Sequence, residues 1–242
     1  MRVPLVASSA TLAALAVGLP AGAQVTIVRE PLYALDGRAI VNANKVIART
    51  RFSRARSSSI PHELAALSAR TKVGTVREFE RFFSERLDRF LADAHNAGLR
   101  TDDAGDARAY FIQLAFKIYN GRGFGDPAPQ TLRGSELWGG GAIAAAARSQ
   151  AWLARFEFVE RIKFVMGKNP RFAALSSAGK QRVYDYYALA AQLLTDSYLE
   201  AQRTNDRRER ELARHTARDQ LRLDLGVDPN LVHFTATGIE VE

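Results

Sequence analysis

Three carboxylates in the C-terminal half of the chain lie among aromatic residues and could support acid–base chemistry: Glu157, Glu160 and Asp185. A glycoside hydrolase needs one carboxyl group with a raised pKa and a second carboxyl group roughly 5–10 Å away. Aromatic neighbours can desolvate a carboxylate and raise its pKa. The alternative is that these groups flank an apolar helix face and pair with nearby basic residues (Arg155, Arg161, Lys163 or Arg182). We favour this alternative, because charged residues on amphipathic helices are mostly solvated.

Arginines recur every three or four residues along the last predicted helix and therefore share one face: Arg207, Arg210, Arg214, Arg218 and Arg222. Such a column could contact phosphate, anionic lipid or an acidic partner. Asp206, Glu211 and Asp219 each precede one of these arginines by three or four residues, where an intrahelical ion pair can form. The sequence therefore favours a solvated, salt-bridged face and leaves an anion-binding column as the alternative.

The residue types needed for metal or cofactor chemistry do not assemble into a motif. Cysteine is absent, which excludes disulfides, thiolate metal sites and cysteine nucleophiles. His62-Glu63 begins like a zinc-protease motif, but Ala66 occupies the position of the second histidine. The glycines at 121, 123 and 125 follow a predicted helix and lack dinucleotide-loop spacing. We expect no metal, no cofactor and, because the net charge of +8 is modest and no recognised module is present, no nucleic-acid partner.

The first 23 residues have the three parts of a secretory signal peptide. Arg2 precedes a nearly uncharged run over residues 3–19, Pro20 ends that run, and Ala21-Gly22-Ala23 supplies the small residues of a cleavage site. An uncleaved anchor would need about 20 strongly apolar residues, whereas this run is rich in alanine and contains serine and proline. We predict cleavage near Ala23–Gln24, a periplasmic or secreted protein, and no transmembrane span after processing.

The rest of the chain divides into an arm over residues 24–60 and one helical domain over residues 61–242. The arm shows no persistent period, and between Gly37 and Pro61 it contains six basic residues and no acidic one, so we predict a basic, extended or mobile segment (Arg38, Lys45, Arg49, Arg51, Arg54 and Arg56). The domain that follows has an ordinary globular balance, since 47% of the chain is hydrophobic and 25% is charged.

Helix boundaries in the domain are marked by capping residues. Thr75 and Glu78 form a capping box, and Asp102 or Asp103 can cap the next helix. Ser176 or Ser177 can cap a helix over about 178–204. The last helix begins at Asp206, a polar N-cap, and ends at Gly226, a C-terminal glycine. The longest predicted helices, about 142–167 and 178–204, would each span about 40 Å. We predict an all-α fold: a single bundle of about five to six helices with a short extended or β-hairpin C-terminal tail.

A set of caps, turns and core positions in the C-terminal half carries a resemblance to a known group (Asn169-Pro170-Arg171-Phe172, Lys180-Gln181, Tyr184, Ala188, Ala190, Ala217, Leu221, Leu225-Gly226-Val227-Asp228-Pro229, Phe234-Thr235 and Thr237-Gly238-Ile239). Upstream positions extend it (Pro61 with Leu64-Ala65, Asp106-Ala107 and Tyr119-Asn120-Gly121). In this pattern the chain resembles a family of uncharacterised, exported bacterial all-helical domains, over roughly residues 61–240. The resemblance implies an exported helical fold and supplies no catalytic residues.

Three functions are consistent with the sequence. The one we favour is a non-enzymatic interaction or structural domain of the cell envelope, with an unknown protein partner there. The alternative is a carboxylate-dependent hydrolase of cell-wall glycan that uses Glu157, Glu160 or Asp185. A further alternative is weak binding to an anionic surface through the basic arm and the arginine column.

Overall fold

A computed structural model describes residues 37–71, 73–96, 99–120, 158–235 and 238–241. The helices have these bounds: α1 Gly37–Ile47, α2 Ile60–Thr71, α3 Val76–Asn96, α4 Ala104–Asn120, α5 over 158–168, α6 Pro170–Ala173, α7 Ser177–Arg203 and α8 Arg207–Leu225. After α8, the short antiparallel strands β1 (Val232–Thr235) and β2 (Gly238–Val241) pair with Phe234 opposite Ile239. The described residues are predominantly helical, which confirms the all-α class. The predicted signal peptide, the arm before Gly37 and Glu157 lie outside them.

Side-chain caps fix the start of α3 and of α4 where the sequence predicts them. At α3, Glu78 Oε2 accepts a hydrogen bond from the Thr75 N–H (2.8 Å), and Thr75 Oγ1 accepts one from the Glu78 N–H (3.3 Å). At α4, Asp103 Oδ1 accepts from the Gly105 N–H (3.0 Å). Each cap satisfies N–H groups that have no partner inside the helix.

The two C-terminal helices also begin and end at the predicted signals. Ser176 Oγ accepts a hydrogen bond from the Gly179 N–H (3.2 Å), and Asp206 accepts from two N–H groups of the first turn of α8. Gly226 ends α8 in the left-handed region (φ 71°), which a residue with a Cβ rarely adopts.

Helix α7 runs through the centre of the molecule. Every residue from Val183 to Leu194 is buried, and the helix packs against α3, α4 and α8. A helix that is buried on all sides needs apolar or small residues around its whole circumference, and the run Tyr-Tyr-Ala-Leu-Ala-Ala over 186–191 supplies them. The polar residues that do occur on α7 therefore need partners from the surrounding helices.

The described part of the predicted arm is packed against the domain. Residues 37–47 are helical, and Ile47, Thr50 and Phe52 are buried. Residues 51–57 form no helix, with a bend at Arg56, and their backbone makes hydrogen bonds to Asp102 and Gln181. The structure therefore differs from the expected extended or mobile arm: residues 37–50 are helical, and residues 51–57 are held against the domain by the buried Phe52 side chain and by backbone hydrogen bonds.

Within the described ranges, no helix combines the length and the apolar character that crossing a membrane requires.

Candidate functional site

The structure places the carboxylates predicted from the sequence beside different cations. Asp185 is buried on α7, where its Oδ1 is 2.9 Å from Arg54 Nη1. Glu160 is half-buried on α5, where its Oε1 is 3.5 Å from Lys163 Nζ. Glu157 lies outside the described residues, so no geometry is assigned to it. Each of the two described carboxylates is thus engaged in an ion pair, and the two have different partners.

Lys163 lies among three carboxylates where α5 meets the start of α4. Its Nζ is 2.7 Å from Asp106 Oδ1 and 3.4 Å from Asp103 Oδ2, in addition to its contact with Glu160. Burial opposes the charged form of Lys163, but Asp103 and Asp106 outweigh it and the pKa of this amine is raised. Burial raises the pKa of Asp106, and Lys163 acts against that shift. In the Lys163–Asp106 ion pair, each of the two buried charges therefore compensates the other.

Gly105 allows α4 and α5 to approach each other at this cluster. A Cβ at this position would lie 2.4 Å from Lys163 Cγ and 3.3 Å from the Lys163 Cα. The first of these distances is far inside van der Waals contact, so only glycine fits without a shift of α5.

A second ion pair is completely enclosed between α4, α7 and α8. Arg108 Nη2 lies 3.1 Å from Asp224 Oδ2 and also donates to the Asp224 carbonyl oxygen (3.1 Å). The Tyr187 hydroxyl donates to Asp224 Oδ1 (2.5 Å). Sequence reasoning missed this group. The available signal was that Arg108 and Asp224 each interrupt the apolar stripe of an amphipathic helix, since Asp224 stands beside Leu221 and Leu225 on the buried face of α8.

Asp185 belongs to a third polar contact, between α7 and residues 51–57. Arg54 donates from Nε to the Thr101 carbonyl (2.7 Å), and its guanidinium lies 4.5 Å above the centre of the Tyr184 ring. Within the described residues, three buried polar atoms have no hydrogen-bond partner here: Arg54 Nη2, Asp185 Oδ2 and the Tyr184 hydroxyl oxygen. Burial raises the pKa of Tyr184, so this hydroxyl stays protonated at neutral pH.

The five arginines predicted to form a column on the last helix lie on α8, and we call them the arginine face. Four are exposed and Arg218 is half-buried. Arg214 is paired with Glu211 (3.4 Å), and Arg218 is paired with Asp228 beyond the helix (3.1 Å). Among the described residues, Arg207, Arg210 and Arg222 have no ion-pair partner within 4.0 Å.

The acidic residues expected to neutralise this face are only partly available to it. Asp206 accepts hydrogen bonds from the Arg208 and Glu209 N–H groups (2.8 and 3.3 Å), because it is the N-cap of α8. Asp219 is exposed and makes no ion pair with a described residue. The sequence suggested three intrahelical ion pairs on this face. The structure shows one of them, the pair of Glu211 and Arg214.

Over the described part of the chain, no group of three histidine, aspartate or glutamate side chains is arranged to hold a metal ion. His62 instead lies 3.1 Å from Glu80 at the surface between α2 and α3.

The C-terminal part of the chain, residues 154–242, matches the model of a family described as "Family of unknown function (DUF6683)". This match confirms the resemblance to an uncharacterised domain family over that range. The upstream positions of the resemblance, from Pro61 to Gly121, lie outside it. No curated protein and no solved structure matches the chain.

The matched range contains all the candidate site residues but not all of their partners. It includes Asp185, Lys163 and Asp224, whereas Arg54, Asp106 and Arg108 precede it. These ion pairs therefore join the matched range to residues of the N-terminal half.

Proposed function

We propose that this chain is an exported, non-enzymatic interaction domain of the bacterial cell envelope, periplasmic or secreted after cleavage near Ala23–Gln24. The export step is supported by the signal-peptide pattern of residues 1–23. The interaction is supported by one structural observation above all, which is that the arginine face carries three exposed guanidinium groups with no ion pair to a described residue.

The arginine face is extended enough to bind a macromolecule. From Arg207 to Arg222 it covers about 22 Å of helix, at 1.5 Å per residue. Exposed guanidinium groups form bidentate hydrogen bonds with carboxylates and keep their charge at every physiological pH. A partner with a matching row of acidic groups would therefore gain both orientation and a faster encounter rate.

An acidic protein surface suits this face better than a lipid bilayer does. A helix that lies in a membrane interface inserts an apolar face among the acyl chains. The apolar face of α8 is already buried against the core, since Ala213, Ala217, Leu221 and Leu225 are all at most 4% exposed. Only electrostatic attraction would remain for lipid, so we propose an acidic protein of the envelope as the partner.

The carboxylates support a structural role rather than hydrolysis. A glycosidase needs a carboxylic acid that is protonated and free to donate to the leaving group. Asp185 faces a guanidinium at 2.9 Å, and Glu160 faces an ammonium at 3.5 Å, so each carboxylate is already engaged by a cation of this chain. The Asp185 pair joins α7 to residues 51–57, and the Glu160 pair lies within α5.

Affinity capture with two matched variants tests the proposal. The mature protein is immobilised and exposed to a detergent extract of the cell envelope. One variant replaces three arginines of the face (R207Q, R210Q and R222Q). The control variant replaces three exposed arginines elsewhere (R77Q, R81Q and R208Q) and so has the same net charge.

We expect the wild type and the control variant to capture an acidic protein. The variant of the arginine face should capture at least tenfold less of that protein. Vesicles of 30% phosphatidylglycerol in phosphatidylcholine are assayed in parallel. Equal capture by both variants, or binding to the vesicles with no captured protein, would contradict the proposal. Sequencing of the N-terminus of the purified protein tests the export step separately, because processing predicts that Gln24 is the first residue.

A further inference from the structure

Residues 51–57, which we call the strap, lie against α7 as a bound peptide would. The Phe52 N–H donates to the Asp102 carbonyl (3.0 Å), and the Ala55 N–H donates to Gln181 Oε1 (2.7 Å). The Gln181 amide in turn donates to the carbonyl oxygens of Ala55 (3.3 Å) and Ser57 (3.2 Å). One buried glutamine side chain thus binds three backbone groups of the strap, in the way that a neighbouring strand would.

Two side chains of the strap occupy defined positions against α7. Phe52 is 7% exposed, and its ring meets the Tyr184 ring edge to face, with the ring centres 5.8 Å apart. Arg54 inserts between the Tyr184 ring, the Asp185 carboxylate and the Thr101 carbonyl. Main-chain hydrogen bonds provide affinity for a bound peptide. Sites that hold particular side chains, as those of Phe52 and Arg54 do here, provide sequence selectivity.

The strap does not use all the hydrogen-bonding capacity of these positions. Arg54 contacts Asp185 through a single N–O pair, whereas a guanidinium and a carboxylate can form two parallel bonds. Arg54 Nη2, Asp185 Oδ2 and the Tyr184 hydroxyl are buried and have no hydrogen-bond partner among the residues that the structure describes. An arginine that is free of the constraint of the chain could pair more completely, so the strap is not the best possible occupant.

We infer that Gln181, Tyr184 and Asp185, together with the Thr101 carbonyl, form a peptide-binding slot that is selective for an extended Phe-x-Arg-Ala segment and is occupied in cis by residues 52–55. A peptide of this pattern can replace the strap in trans. The slot is separate from the arginine face, because it lies on α7 and involves none of the α8 residues. The inference therefore does not depend on the proposed function.

A labelled peptide with the sequence of residues 48–59 tests the inference by fluorescence anisotropy. In the full mature chain, the substitutions F52A and R54A weaken the binding of the strap to the slot. We expect this variant to bind the peptide saturably, and at least tenfold more tightly than the wild type does. A peptide with alanine at the position of Arg54, and a protein that also carries D185N, should each bind at least tenfold more weakly. The absence of peptide binding to a variant that keeps the helical circular dichroism of the wild type would overturn the inference, as would equal binding of the two peptides.

Hydrogen exchange of the wild-type protein provides an independent test that needs no variant. An excess of peptide should displace the strap and accelerate exchange of the Phe52 and Ala55 amides, which donate to Asp102 and Gln181 in the free protein. A peptide with the same residues in scrambled order should leave both exchange rates unchanged. The same rates with and without the matching peptide would overturn the inference.

Discussion

Arg108 on α4 and Asp224 on α8 form an ion pair in which both side chains are only 2% exposed. The two residues are 116 positions apart in sequence, and the Tyr187 hydroxyl on α7 completes the group by donating to the same carboxylate. Three helices thus meet at one carboxylate. A buried pair of this kind contributes little net stability compared with apolar residues, but loss of one partner leaves an uncompensated buried charge.

Replacement of Asp224 by alanine should lower the free energy of unfolding by about 3–5 kcal/mol, because Arg108 then remains buried without its partner. Urea unfolding monitored by circular dichroism measures the difference. Asp219→Ala is the matched control, since Asp219 is exposed on the same helix and should change stability by less than about 0.5 kcal/mol. Equal effects of the two substitutions would show that the ion pair is not buried. The double variant R108M/D224L should recover much of the loss, because it removes both charges.

Two neighbouring buried tyrosines should respond differently to loss of the hydroxyl group. Tyr187→Phe removes a 2.5 Å hydrogen bond to a carboxylate and should cost about 1.5–3 kcal/mol. The buried Tyr184 hydroxyl finds no partner in the described part of the chain, so Tyr184→Phe should be neutral or should stabilise the protein by up to about 1 kcal/mol. Chemical denaturation at pH 7 compares the two variants. A larger loss for Tyr184→Phe than for Tyr187→Phe would contradict the described hydrogen bonding.

Stability should decrease at alkaline pH. Burial raises the pKa of Tyr184 above its ordinary value of 10.0, so above about pH 10 the unfolded chain binds fewer protons than the folded protein does. The contribution of Tyr184 to the free energy of unfolding is fully present below the pKa that this group has in the unfolded chain. It is lost as the pH rises toward the pKa in the folded protein, by up to about 1.4 kcal/mol per pH unit. The Lys163 amine, whose pKa is also raised, acts with the same sign above its ordinary value of 10.5.

The Tyr184→Phe variant isolates this dependence. Its free energy of unfolding should fall less steeply between about pH 10 and pH 11.5 than that of the wild type, because one titrating group is gone. Urea unfolding at several pH values in that range gives both slopes. Identical slopes would mean that Tyr184 has the same pKa in the folded and the unfolded chain.

The range that matches the family model should not fold by itself. A fragment of residues 154–242 lacks Arg108, Arg54 and Asp106, so Asp224, Asp185 and Lys163 lose their buried partners. It also lacks α3 and α4, which pack against α7. We expect reduced helical circular dichroism and no cooperative thermal transition. A cooperative transition at the wild-type midpoint would show that the N-terminal half is a separate unit.

Local structure was accessible from the sequence because its determinants are close together in the chain. The Thr75–Glu78 capping box, the Ser176 and Asp206 caps and the left-handed Gly226 all involve contacts within a few residues. A hydroxyl or carboxylate at the right offset has few other ways to satisfy a helix terminus, so each signal predicts one structure. The all-α class follows from these boundaries and from the apolar periodicity between them.

The contacts that define the candidate sites were not accessible in the same way. Arg54 pairs with Asp185 across 131 positions, and no local signal distinguishes it from the other basic residues around it. The basic composition of this stretch predicts a solvated segment, but the burial of Phe52 and the backbone contacts to Gln181 hold it against α7. The sequence placed Asp206 both at the start of α8 and in a possible pair with Arg210; the structure shows the cap, accepting from the Arg208 and Glu209 N–H groups, and not the pair.

Sedimentation of the mature protein with isolated envelopes tests the central claim, that the arginine face binds an acidic envelope protein, most directly. The bound fraction is measured at increasing salt for the wild type, for R207Q/R210Q/R222Q and for the control R77Q/R81Q/R208Q, with envelopes that are untreated or treated with protease. We expect the wild type and the control to bind in a salt-sensitive manner, since exposed charges are screened. The bound fraction of R207Q/R210Q/R222Q should be at least tenfold lower. Protease treatment of the envelopes should abolish binding. Equal binding by all three proteins, or binding that survives protease treatment, would contradict the claim.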